Sequence, residues 1–330
     1  MDALTPYILI VILIAFLFDF INGFHDAANS IATIVTTGVL TPRQAVMWAA
    51  FFNLIAFLFF HLMVAKTIGY DLIDSSVINI HIIFAALIGA ISWNLLTWYF
   101  GIPSSSTHAL IGGLAGAAIT HGGIATLKYA GFIKVAIGIF VSPVVGLLVG
   151  LLSTYYLTKL FSNQSEKAVN RIFKWFQLGS SALLSLTHGG NDAQKTMGII
   201  AILLFSTNVL EGPFYIPFWV VISCQVVISL GTLAGGWRIV NTMGSKITKL
   251  NRLRGCAAES SAAAIILAAT EFGVPVSTTQ TVTGAIAGTG LIKGLKGTAW
   301  PMISRILISW ILTIPAAGLV SGTITLLISI

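Results

Sequence analysis

The sequence has 330 residues, of which 56% are hydrophobic and 8% charged, against about 25% charged in an ordinary soluble domain. Apolar runs of about 15 to 25 residues recur along its length, which excludes a soluble globular chain and suits membrane helices better than the ten-residue alternation of a barrel. The net charge of +7 lies between those runs, so it records membrane orientation rather than nucleic-acid binding.

The N-terminus lacks a basic leader, since Met1–Pro6 carries only Asp2, and the first span is expected to be retained. The apolar region 7–39 is interrupted by Asn22–Asn29, N-G-F-H-D-A-A-N, where a helix break is expected. A loop with Arg43 follows, then a span at 45–64, an acidic loop with Asp71 and Asp74, and a run at 82–100. The motif G-I-P-S-S-S-T-H occupies 101–108, small residues continue to Ile119, and a span at 133–158 closes the half. The polar linker Lys159–Lys174 sets Lys159, Lys167, Arg171 and Lys174 against Glu166.

The second half repeats this order. His188–Lys195, H-G-G-N-D-A-Q-K, interrupts an apolar run and aligns Asp192 with Asp26, Gly189 with Gly23 and Ala193 with Ala27 at a constant offset of 166. A loop with Glu211, a span at 214–236 and a basic loop with Arg238, Lys246, Lys249, Arg252 and Arg254 lead to a run at 256–271. The motif G-V-P-V-S-T-T-Q at 273–280 then aligns with the first Pro motif at an offset of 172, and a span at 300–328 follows. Two motifs recurring in the same order indicate duplication, and interrupted segments at matching positions point to a transporter site. The expected fold is an all-α polytopic membrane protein of two inverted repeats with broken or re-entrant helices, about 10 to 12 membrane segments in all. The division expected is 1–158 for the first repeat, 159–174 for a basic cytoplasmic linker and 175–330 for the second repeat. With both basic segments, 159–174 and 237–254, placed inside, parity puts both termini outside; Lys66, Lys128 and Lys134 are mild exceptions.

Both Pro motifs read as helix starts at membrane depth, with Pro in the first turn and Ser and Thr as caps. A helix start offers free N–H groups and partial positive charge, so two of them can enclose a tetrahedral oxyanion with hydroxyls from Ser105, Ser106, Thr107, Ser277, Thr278 and Thr279. Gly112, Gly116, Gly284 and Gly288 also suit close helix packing, the plainer use of a small-residue run. Asp26 and Asp192, with Asn22, Asn29 and Asn191, offer a hard oxygen-rich site for Na⁺ or a proton acceptor. Glu259 is an acid in an alanine-rich run and joins the coupling-ion candidates; Asp19 and Glu271 lie nearer segment ends. Lys195, three residues after Asp192, is placed to pair with it on a helix. His25, His108 and His188 form no metal-ligand spacing, and Cys224 and Cys256 form neither a disulfide framework nor a CxxC pair. No cofactor and no metal beyond Na⁺ at Asp26 and Asp192 is expected. Ser106 with His108 is a weak basis for a membrane enzyme.

These stretches, in both halves and over nearly the whole chain, resemble the inorganic phosphate transporter (PiT) family. The resemblance implies phosphate uptake by symport with H⁺ or Na⁺, Asp26, Asp192 and Glu259 in coupling, and the Ser/Thr triplets on phosphate. It also implies the cell membrane, both termini outside, partners limited to inorganic phosphate and lipid, and room for a homo-oligomer. Asn53, in F-F-N, stands where many sodium-coupled members carry glutamate, and with N-G-F-H-D it is closer to the bacterial, proton-coupled branch. A sulfate or related oxyanion permease of the same fold is the alternative. Phosphate retains a proton at neutral pH and can donate to a buried carboxylate, whereas sulfate only accepts, which favours phosphate.

Overall fold

The computed structural model describes residues 5–74 and 77–329, and it is helical nearly throughout. The first half consists of α1 (Pro6–Thr36), α2 (Pro42–Ile55), α3 (Met63–Lys66) running into a π turn at Thr67–Asp71, α4 (Ile80–Tyr99), α5 (Ser106–Gly122) and α6 (Tyr129–Leu160). The second half repeats the order as α7 (Glu166–Ser206), α8 (Phe218–Ala234), α9 (Trp237–Ser245), α10 (Arg252–Glu271), α11 (Thr278–Leu291) and α12 (Trp300–Ser329). Among the described residues there is no β-strand, only an isolated bridge between Ile73 and Leu127. Among the described residues α1, α4, α6 and α12 are long and apolar enough to cross a bilayer, and counting each bent pair as one span gives up to six such crossings. Exposed Phe140, Val144, Ile311 and Leu319 on α6 and α12 supply an apolar outer surface suited to lipid.

Two large apolar clusters hold most of the interior. One takes Val11–Ile21 of α1, Ala109–Leu114 of α5 and Met197–Leu204 of α7. The other takes Ala28–Ile34 of α1, Leu184 of α7 and Val282–Ala287 of α11. α1 runs from the first cluster into the second and α7 runs the opposite way, which is the inversion between repeats. Asn22–Asn29 and His188–Lys195 fall at the seam between the clusters. The N-termini of α5 and α11 meet there as well, each helix running away into a different cluster.

The expected breaks at Asn22–Asp26 and His188–Lys195 do not occur, because α1 and α7 are continuous through both stretches. A continuous helix satisfies its own backbone, and the glycines there serve close approach instead. A Cβ on Gly23 would run into the Ile228 carbonyl of α8, and one on Gly189 would lie 2.7 Å from Asn53 Cα of α2. The chain bends elsewhere, at matching places in the spans expected to be whole. The pair Pro42–Leu58 and Met63–Asp71 meets at 77°, and α8 meets α9 at 72°, the latter across Gly235 with its φ of 70°. The linker 159–174 is also largely helical: α6 continues to Leu160 and α7 begins at Glu166, capped by Ser165.

The small-residue runs behave as packing surfaces. α6 lies along α11 and α12 along α5, so the last helix of each repeat braces the other repeat's hydroxyl-bearing helix. Side chains at Gly116 or Gly284 would strike the carbonyls of Gly318 or Pro143. The loops before α5 and α11 are fixed in the same crossed manner. Thr67 donates to the Gly273 carbonyl at 2.8 Å and Thr242 to the Gly101 carbonyl at 2.9 Å. Both glycines sit at positive φ, 64° for Gly101 and 65° for Gly273, a region that costs an L side chain.

Candidate functional site

The two repeats place their aspartates together. Asp26, Asp192 and His188 each offer one ligand atom within 4.8 Å of the others, and all three are buried. Asp26 Oδ2 accepts from Ser106 at 2.9 Å, and its Oδ1 accepts from Thr279 at 3.2 Å. His25 Nδ1 lies 2.8 Å from the same Oδ1, and His25 Nε2 sits 3.1 Å from Thr97 Oγ1. Asp192 is paired with the ammonium of Lys195 at 2.5 Å, lies 3.3 Å from His188 Nε2, and accepts from Thr278 at 3.3 Å. Asn29 ties the hydroxyls to α1, donating to Thr278 at 3.2 Å and Thr279 at 3.0 Å.

The hydroxyl triplets divide by task. Ser105 and Ser277 are N-caps, each accepting from a backbone N–H three residues on at 3.2 Å (His108 and Gln280). Helices α5 and α11 therefore begin at Ser106 and Thr278, three residues beyond the prolines. Pro103 and Pro275 lie two residues before the serine caps, inside a non-helical lead-in and not in a first turn. Ser106, Thr278 and Thr279 reach the aspartates. Thr107 does not; it donates to the Val276 carbonyl at 3.2 Å and ties the start of α5 to the lead-in of α11.

Glu259 forms a second polar node. Its Oε1 accepts from Thr33 at 2.6 Å and Gln177 at 3.0 Å, and its Oε2 accepts from Ser180 at 2.5 Å. Thr33 is seven residues along α1 from Asp26, roughly 10 Å of helix rise, so Glu259 belongs to the same column on the second-cluster side. Asp19 lies toward the first cluster, accepting from Thr196 at 2.8 Å. Glu271 is remote from both, half-exposed beside His61 at 3.4 Å.

Side-chain oxygens of the remaining candidates have no hydrogen-bond partner: Asn22 Oδ1, Asn29 Oδ1 and Asn191 Oδ1 are all buried and unpaired among the described residues. Asn191 is oriented by one bond, Nδ2 to Thr270 at 2.9 Å. Buried amide oxygens without a partner and carboxylate oxygens are both donors of the kind that hard cations take. The sequence reading missed Thr97, Thr33, Gln177 and Ser180. Each is an ordinary polar residue on a helix, and only the three-dimensional packing of α1, α4, α7 and α10 assigns them partners. Ser106 Oγ serves Asp26, while both ring nitrogens of His108 have no partner among the described residues. Arg238 approaches the first lead-in from α9, donating to the Tyr99 carbonyl and stacking 5.4 Å from the Trp98 ring centroid, although no arginine is near it in sequence.

Inverted repeats, crossed bracing and a buried polar centre at paired helix N-termini define a multi-pass α-helical membrane transporter. The chain belongs to the phosphate transporter family, which it matches over residues 22–167 and 159–321. It is 54% identical over 324 residues to the "Probable low-affinity inorganic phosphate transporter" of Rhizobium meliloti (strain 1021), covering 98% of this chain and 97% of that one. A protein of the same description from Bacillus subtilis (strain 168) is 42% identical over 320 residues, covering 96% of each chain. A solved structure titled "The sodium-dependent phosphate transporter" superposes with a TM-score of 0.88 at 25% identity, covering 98% of this chain and 99% of that one.

Proposed function

We propose that the protein imports inorganic phosphate across the cell membrane by symport with a monovalent cation, H⁺ or Na⁺. The observation that carries this is the convergence of Asp26, Asp192, Ser106, Thr278 and Thr279 from both repeats at two opposed helix starts. In this reading the N-termini of α5 and α11 and their hydroxyls hold phosphate, while Asp26, Asp192 and the unpaired oxygens of Asn22, Asn29 and Asn191 hold the cation. The two ligands neutralise one another, so each lowers the cost of placing the other in a low-dielectric centre. Ser105, Ser277 and Thr107 shape the two helix starts that do the binding. Glu259 of α10, held by Thr33 seven residues along α1 from Asp26, is the cation's next carboxylate on the way inward.

The orientation that fits has both termini outside and the segments around 159–174 and 237–254 in the cytoplasm, with 1–158 and 175–330 as the two moving repeats. Support for phosphate over sulfate is the acceptor character of the site: two carboxylates face the hydroxyls, and phosphate alone brings a proton to donate to them. The named relatives bear the description "Probable low-affinity inorganic phosphate transporter", and the structural neighbour is described as sodium-dependent.

The experiment is uptake of radiolabelled phosphate into proteoliposomes under an imposed inward H⁺ or Na⁺ gradient. Accumulation driven by one of the two gradients and collapsed by its ionophore is expected. Phosphate flux indifferent to both gradients, or sulfate carried equally well, contradicts the proposal.

A further inference from the structure

The two central carboxylates are equivalent by the repeat, yet their companions differ. Superimposing the motifs sets Asn191 at the position of His25, His188 at that of Asn22 and Lys195 at that of Asn29. Asn29 is neutral, and its amide donates to Thr278 and Thr279. Lys195 instead brings an ammonium to 2.5 Å from Asp192 Oδ1. It is 0% exposed and is the one buried lysine or arginine among the described residues.

A buried ammonium is costly unless a carboxylate compensates it, and the same holds for a buried carboxylate. Each therefore holds the other in place. Asp26 has no such permanent partner: Ser106 and Thr279 are neutral donors and His25 carries charge only when protonated. The other charged or titratable groups around the pair include His188, 3.3 Å from Asp192 Oδ2, Asp19, held by the hydroxyl of the next residue, Thr196, and the buried imidazole of His108.

We propose that Lys195 is a built-in cation: it fills, on Asp192, the position that the repeat would otherwise offer to a second coupling cation, and only Asp26 exchanges a cation in each cycle. The inference rests on the symport reading above and adds to it the number of ions and the residue that sets it. A tethered ammonium never leaves, so it contributes charge to phosphate binding without drawing on either gradient. One exchanged cation per phosphate follows.

The test uses the full-length protein in proteoliposomes at zero membrane potential. The logarithm of the equilibrium phosphate ratio is plotted against the logarithm of the cation gradient, for Na⁺ and H⁺ in turn, and the slope counts exchanged cations. Lys195→Asn gives the second repeat the residue the first already has and should raise the summed slope by one; Lys195→Arg should leave it as in the wild type. An unchanged slope in a transporting Lys195→Asn protein overturns the proposal, as does a wild-type slope of two or more counted against H₂PO₄⁻. Where Lys195→Asn binds but does not transport, ²²Na⁺ binding to the purified protein, or proton uptake on phosphate binding where wild-type transport follows the H⁺ gradient, should show one cation more than the wild type, and equal counts overturn it. Lys195→Gln is carried through both assays as the second variant. Wild-type uptake that follows neither cation gradient would instead refute symport itself.

Discussion

Replacing Thr279 by valine keeps the branched shape and removes one hydroxyl. That hydroxyl donates to Asp26 Oδ1 at 3.2 Å and accepts from Asn29 Nδ2 at 3.0 Å, and the residue is 1% exposed, so water has no ready access to replace it. Asp26 keeps Ser106 and His25, and Asn29 keeps Thr278, so the loss is one charge-assisted bond and one shared neutral one. A lost partner to a buried charged group costs about 1 to 3 kcal/mol, which is roughly 5- to 150-fold in affinity for the ligand this hydroxyl orients. Thr107→Val is the internal comparison. Its hydroxyl goes to the Val276 carbonyl, so its loss loosens the lead-in without stripping the aspartate, and a smaller change of about threefold or less is expected. Scintillation-proximity binding of ³³P-phosphate to the purified proteins, with circular dichroism as a check of fold, measures both. Equal weakening by the two substitutions, or no weakening by Thr279→Val, would refute the division of tasks drawn between the hydroxyls.

Three further predictions follow from the same geometry. Asp26→Asn should abolish gradient-driven uptake while expression and helicity persist, read by proteoliposome flux and circular dichroism, because neutralising that buried acid relieves desolvation but removes the cation's ligand; Asp192→Asn should abolish uptake too, but with a lower melting temperature, because it leaves the Lys195 ammonium buried without its carboxylate. Glu259→Gln keeps an acceptor for Thr33 and Gln177, so phosphate binding should stay within about threefold while uptake falls at least tenfold; parallel losses in both assays would make Glu259 a phosphate-site residue. Gly116→Val would drive a side chain into the Gly318 backbone and part α5 from α12, and a loss of about 1 to 3 kcal/mol, read as a lower melting temperature in detergent, is expected.

The duplication, the inversion and the membrane-helix class were legible because they depend on sequence order, hydropathy and the placement of Lys and Arg. The location of the breaks was not. Asn, Gly, His and Asp inside an apolar run look like an interruption. A helix can nevertheless carry them when neighbouring helices cover the polar side, as α8 covers Gly23 and α2 covers Gly189. Conversely the bend between α2 and α3 lies in an apolar stretch, with no local signal except the histidine and leucine that lead into Met63. The pairing of Lys195 with Asp192 was legible from its three-residue spacing, since it needs only one helical turn. Contacts such as Thr33 with Glu259 or Thr279 with Asp26 join residues more than 200 positions apart, and only the crossed packing of the repeats brings them together.

Equilibrium binding of radiolabelled phosphate to the purified protein tests the shared site most directly. The account predicts one phosphate per chain, with Ser106→Ala in the first repeat and Thr278→Val in the second each weakening that single class of site. Two phosphates per chain, or a variant that removes half the sites and leaves the rest at full affinity, would show that each repeat binds on its own and would contradict it.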